Sequence, residues 1–264
     1  YITGTNDAQI IIDSNDENIV HLIIENINLN YEYSPIYIKN AEKAIITAIL
    51  KAHPDHSIHA QASASIAGQG EGADYEWTIQ SLDGVQNFIR GVPHFAVSIA
   101  CKFRGRLEHA VIIDPVRQEE FTASRGRGAA FNGRRIRVSK RKTLSDALLA
   151  THFPFSEGQT DHMDNYMSML TDLAVQSAGI RTAGVSSLDL AYVAAGRYDA
   201  FWTYNLSEAD MAAGVLIIQE AGGLVSDFNG GYDFLDRGHI VVGGSKCFKA
   251  VLTTIQPHIP HSFK

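Results

Sequence analysis

The residues of this chain that could do chemistry include three histidines at three-residue intervals, His53, His56 and His59, with His94 further along. Imidazole is a common ligand for transition metals, so the spacing raises a metal reading. His53 and His56 flank a Pro-containing turn, and solvated or packed rings are the expected outcome for them and for His94. His59 directly precedes Ala60-Gln61-Ala62 and is the ring placed to add an imidazole to a cavity. Two carboxylates stand out for a different reason. Asp83-Gly84 is a strong tight-turn pair, and Ser207-Glu-Ala-Asp210 reads as a capping-box-like helix start. Arg125, Arg127, Arg134, Arg135, Arg137, Lys140, Arg141 and Lys142 form one concentrated basic run, expected as a solvated turn and strand edge.

These side chains must be positioned by an alternating α and β body. Ala41, Ala44, Ile45, Ala48 and Ile49 fall on one side of a predicted helix over 40–51, and Ile19, Val20, Ile23, Ile24 and Ile27 suggest another over 17–28. Apolar bursts at 96–101, 109–113, 129–131 and 240–242 predict strands bounded by Gly, Pro and Asn-Gly turns. Helices are predicted at 188–195, stopped by Gly196, and at 209–220, stopped by Gly222-Gly223. No flexible joint or internal repeat interrupts the chain, so a single domain over 1–264 is expected.

Composition sets the broad class. With 264 residues, 45% hydrophobic and 19% charged, the chain can bury a sizeable core. A net charge of −7 argues against non-specific nucleic-acid binding, although a local basic patch is compatible with an acidic total. Cys101 and Cys247 lie far apart and suggest buried thiols in a reducing compartment. No apolar run approaches the roughly 20 residues that span a bilayer, and the N-terminus lacks a basic-then-apolar signal pattern. A cytoplasmic protein is expected.

The segment Trp77-Thr-Ile-Gln-Ser-Leu-Asp-Gly-Val-Gln-Asn-Phe88 resembles the W-x-I-D-P-[IL]-D-G-T-x-N-F signature of the inositol monophosphatase family, closest to its bacterial extragenic-suppressor branch. Further blocks extend the resemblance over roughly residues 35 to 250: Pro93 to Ala100 with Gly105-Arg, Asp114 to Gly133, Ser187 to Trp202 and Asp210 to Gly223. The resemblance implies an α+β fold, a layered α-β-α-β-α sandwich of the inositol monophosphatase and sugar phosphatase type. It also implies phosphomonoester hydrolysis assisted by two or three Mg²⁺ ions.

Against that pattern several chemical positions are replaced. Gln61 stands at a metal-binding Glu with Ala62 as its neighbour, Gln80 at the first Asp, Ser81 at the Pro and Val85 at the Thr that positions water and phosphate. Ile38 falls at an outer-shell Asp, Thr203 at the Glu that contacts inositol hydroxyls, and Ala209 at the Trp before the last metal Asp. No catalytic set survives intact at Gln61, Gln80 and Val85. Asp83 and Asp210, with Leu82 in the same turn, are the residual metal contacts, two carboxylates where the family has four. Opposite unit charges 4 Å apart attract by about 4 kcal/mol at a protein-surface dielectric, so two lost carboxylates should leave Mg²⁺ weakly held. The residual substrate-binding positions are Gly84, Val85, Gly184, Ser186 and Thr203; Gly184-Val-Ser-Ser187 matches a sugar-facing loop in part and also reads as the N-terminal cap of the following helix.

Three functions follow. The favoured one is a catalytically impaired or inactive homologue that binds a partner or ligand and requires no cofactor. The others are a weak Mg²⁺-dependent phosphatase of inositol or sugar phosphates, and a cavity turned to other chemistry through His59, Gln61, Gln80 and Ser81. The resemblance further implies a homodimer and a protein partner in the transcription antitermination machinery; the acidic charge and the lack of a long apolar run indicate no direct nucleic-acid contact and no membrane.

Overall fold

The computed structural model describes residues 10–13, 21–24, 34–61, 63–153 and 161–263, with side chains from Ala41 onward. In chain order, β1 (Ile10–Asp13) pairs antiparallel with β2 (His21–Ile24), and α1 (Ser34–Ala52) follows. The first large sheet contains β3 (Ser57–Ala60), β4 (Tyr75–Asp83), β5 (Ala96–Phe103), β6 (Arg106–Asp114), β7 (Glu119–Ser124), β8 (Gly128–Phe131) and β9 (Arg134–Arg135), ordered as in sequence. A short helix α2 (Val85–Ile89) lies between β4 and β5. The second half brings β10 (Leu148–Thr151), α3 (Met163–Gln176), β11 (Gly179–Arg181), α4 (Ser186–Ala194), β12 (Ala200–Thr203) and α5 (Glu208–Glu220). It ends with β13 (Leu224–Ser226), α6 (Phe234–Arg237), β14 (Ile240–Gly243) and α7 (Ser245–Ile255), and its sheet runs β11-β10-β12-β14-β13.

Strand alternation decides the layering, because successive side chains point to opposite faces. In β5, Val97, Ile99 and Cys101 join Ile45 and Ile49 of α1 in one core, whereas Ala96 and Ala100 join α4 and α5 in another. In β12, Phe201 faces that same middle core, while Ala200 and Trp202 face α3 and α7. The order is therefore α1, seven-stranded sheet, α4 with α5, five-stranded sheet, α3 with α7: the α-β-α-β-α sandwich.

The middle helices are covered by sheets on both sides. Every residue of α4 is buried, as is Met211–Ile218 of α5, so neither has the polar stripe of a surface helix. Gly214 permits their close crossing; a Cβ there would lie 2.5 Å from Leu190 Cβ.

The predicted helix over 40–51 is present within α1, the predicted strands and the helix over 209–220 are present within their elements, and the helix expected over 188–195 is α4, which ends at Ala194 with Ala195 as its C-cap. The helix expected over 17–28 is corrected: His21–Ile24 is strand, pairing Ile24 with Ile10 and His21 with Asp13, and the rest of that range lies outside the described residues. Isoleucine-rich runs suit extended backbone because β-branching restricts χ1 and packs well on a pleated surface. Cys101 and Cys247 are both free, buried thiols, and among the described residues no helix is long and apolar enough to cross a membrane.

Candidate functional site

The site forms where the end of β4 meets the N-termini of α4 and α5. β4 delivers Gln80, Ser81, Leu82 and Asp83, all buried, and its pairing with β5 slips between Gln80 and Asp83. Gly84 then turns the chain at φ +88°, a left-handed conformation that a Cβ would strain. A Cβ there would also meet Val185 Cγ2 at 2.8 Å and the His94 carbonyl oxygen at 3.2 Å. Val85 begins α2 with its side chain substantially exposed. Asn87 fastens this turn to the neighbouring loop, donating to the carbonyls of His94 and Ala183 at 2.9 and 3.0 Å.

Asp83 faces α4. Its Oδ2 accepts from the Ser187 backbone N–H at 2.8 Å and from Ser187 Oγ at 2.7 Å. Burial nevertheless pushes the carboxyl up to about 6 against those hydrogen bonds, with the charge of Asp210 adding to the rise. Asp189, two residues beyond Ser187 in α4, is also deeply buried, and burial followed by the charge of Asp83 raises it well above the ordinary value.

Asp210 faces β4 from the start of α5. Gln80 Nε2 donates to Asp210 Oδ1 at 2.7 Å, and Ser207 donates to Oδ2 through its backbone N–H and Oγ, both at 2.7 Å. The carboxylate thus holds the helix start, as the Ser207-x-x-Asp210 spacing predicts, and simultaneously accepts from the Gln80 amide. One residue before it in the helix lies Ala209; at the first position, Glu208 pairs with Lys102 of β5 and accepts from Thr78 Oγ1 at 3.5 Å.

The remaining expected positions are distributed around this centre. Gln61 follows β3, whose parallel register sets Ala60 opposite Ile79, and its backbone N–H donates to the Ile79 carbonyl at 3.2 Å. Its side chain is exposed, and Ala62 lies outside the described residues. Ser81 Oγ donates to buried Glu42 of α1 at 3.2 Å. Gly184 adopts φ +77° before α4, and Ser186 is buried beside Ser187. Thr203 is fully buried, with Oγ1 donating to the His152 carbonyl at 2.8 Å. Ile38 lies within α1, and its side chain lies outside the described residues.

The histidines are packed or bonded individually. His53 and His56 stack with centroids 4.4 Å apart and planes 9° apart, and His56 stacks on Tyr75 at 4.4 Å and 7°. His56 Nδ1 also accepts from Trp77 Nε1 at 2.9 Å. Parallel rings hold their nitrogen lone pairs in separate planes, which do not converge on one ion. His59 Nδ1 lies 3.1 Å from Ser65 Oγ, and His94 Nδ1 lies 3.2 Å from Arg117 Nη1.

This donor set does not fit a Mg²⁺ pair. An amide N–H of Gln80 occupies the Asp210 oxygen that would otherwise be turned toward a cation, Asp83 is costly to ionise, and Gln61 is neutral. Among the described residues no group of three or more His, Cys, Asp or Glu side chains is arranged to hold a metal ion. Sequence reasoning missed the Lys102–Glu208–Thr78 contacts, the Ser81–Glu42 bond and the Ser187 grip on Asp83, since each joins segments distant in sequence.

Comparison with known proteins agrees with this architecture. The model of the inositol monophosphatase family matches residues 30–260. Nus factor SuhB of Pseudomonas aeruginosa is 67% identical over 224 residues, covering 85% of this chain and 83% of that protein. Nus factor SuhB of Escherichia coli K12 is 44% identical over 226 residues, covering 86% and 83%. Among solved structures, extragenic suppressor protein suhB from Bartonella henselae superposes with a TM-score of 0.80 at 40% identity, covering 84% of this chain and 83% of that one. Inositol monophosphatase from Anabaena superposes with a TM-score of 0.77 at 31% identity, covering 86% and 89%. By sequence and by fold, this chain belongs to the inositol monophosphatase family.

Proposed function

We propose that this chain retains the family frame without its metal-assisted hydrolysis, and acts by binding a protein partner. The observation that carries the reading is the 2.7 Å bond from Gln80 Nε2 to Asp210 Oδ1: a neutral amide stands where a carboxylate would help hold a cation, and it covers the carboxylate opposite. Hard divalent cations reward charge and bidentate oxygen geometry, which a glutamine does not supply. Val85 removes the hydroxyl expected to position water and phosphate. The partner reading is supported by relatives named Nus factor SuhB, which points to the bacterial transcription machinery and to a cytoplasmic site of action; a homodimer is the expected form.

The test is phosphate release from inositol monophosphate across Mg²⁺ and Mn²⁺ concentrations, run beside co-purification with the transcription complex of the source cell. The reading expects no metal-stimulated turnover and retention of the complex. Turnover within the ordinary enzyme range of about 1–10³ s⁻¹ would overturn it.

A further inference from the structure

The polar groups around Gln80 are unevenly matched. The donors lining the site are turned onto its carboxylates: Ser187 onto Asp83, Ser207 and Gln80 Nε2 onto Asp210, Thr78 and Lys102 onto Glu208. What remains open is an acceptor. Gln80 is 3% exposed, and its Oε1 is buried with no hydrogen-bond partner among the described residues. Its orientation is fixed by chemistry, because turning the amide over would set Oε1 against Asp210 Oδ1 at the present 2.7 Å.

A buried acceptor without a donor is unfavourable, and so is a carboxylate that shares its surroundings with other carboxylates. A ligand that brings N–H donors and positive charge relieves both. A phosphate brings neither and meets the negative charge of Asp210 and Glu208, against which the starts of α4 and α5 and the Lys102 ammonium act. We propose that the site formed by Gln80 and Asp210 binds a small primary ammonium compound, its N–H groups donating to Gln80 Oε1 and Asp210. Asp210 is only partly buried.

This inference rests on the reading that the site does without its metal pair. The probe is ethanolamine, titrated at fixed ionic strength and neutral pH and followed by protein NMR shifts, with ethylene glycol and inorganic phosphate as matched neutral and anionic probes. Ethanolamine should saturate the site and bind about tenfold or more tightly than ethylene glycol, as expected for one charge-assisted hydrogen bond, and phosphate should not saturate. Gln80→Leu should weaken ethanolamine by a similar factor, and Asp210→Asn provides an independent variant should Gln80→Leu not fold. Absence of saturable ethanolamine binding, equal binding of ethylene glycol, preference for phosphate, or unchanged affinity in the folded variants would overturn the inference. Mg²⁺-dependent phosphate release by the same sample would instead overturn the reading beneath it; no release together with no ethanolamine binding sinks this inference alone.

Discussion

Gln80 and Asp210, 130 residues apart in sequence, meet through a 2.7 Å hydrogen bond across the junction of β4 and α5. Asp210 also receives both Ser207 donors, so one carboxylate ties a sheet to a helix start. These three hydrogen bonds set the position of its carboxylate.

Asp210→Ala removes the reciprocal partner of the helix start and should cost roughly 0.5–2 kcal/mol, the usual range for a lost cap. The denaturant midpoint should fall with the slope unchanged. An unchanged midpoint would mean that Asp210 has no capping role.

Acid stability should show two opposing slopes. The buried Asp83 carboxyl is raised to about 6 from 3.8, so its contribution is fully present below pH 3.8 and is lost as pH rises through about 6. Asp189 acts in the same direction. His56 is pushed from 6.5 down to about 4, first by burial and then by the charge of His53; the unfolded chain takes up the proton first, and stability falls as pH drops from 6.5 toward 4. Protonating His56 also puts a hydrogen where Trp77 donates. Midpoints measured between pH 4 and 7 should therefore steepen toward acid loss in Asp83→Asn, and His56→Gln should remove part of that loss. Parallel pH curves for wild type and both variants would contradict these assignments.

Gly84→Ala should destabilise by about 1–3 kcal/mol, because the turn requires a positive φ and a Cβ would press on Val185 and the His94 carbonyl. Gly91→Ala is the control: it also has positive φ, at 71°, but a Cβ there meets nothing within 4 Å. Thermal unfolding should separate the two, with the larger loss at Gly84.

Much of the framework was legible in the sequence for identifiable reasons. The spacing of Ile45 and Ile49 marks one face of α1, and Gly196 and Gly222-Gly223 end α4 and α5 although neither helix has a polar stripe. The Ser207–Asp210 cap is local and could be read directly. The run over 17–28 misled because its apolar spacing also fits a helix, and the pairing of Ile24 with Ile10 is set by a separate strand. Three histidines at regular intervals say nothing of stacking, which depends on Tyr75 arriving from β4. The grip of Ser187 on Asp83 joins residues 104 apart and has no local signature, and the unpartnered Gln80 Oε1 exists only because Asp210 fixes the amide from across the fold.

The central claim is that the frame persists while two of its four carboxylate metal ligands are replaced. Gln61→Glu, Gln80→Asp and Val85→Thr together return two carboxylates and one hydroxyl to the positions the family uses. Calorimetric titration of Mg²⁺ and Mn²⁺ into folded triple variant and wild type is the most direct measurement. A clear gain in metal affinity is predicted, with hydrolysis still low because Thr203 and Ile38 remain and a misplacement of about 1 Å can cost about 10²-fold in rate. A folded triple variant that binds metal no better than wild type would contradict the account.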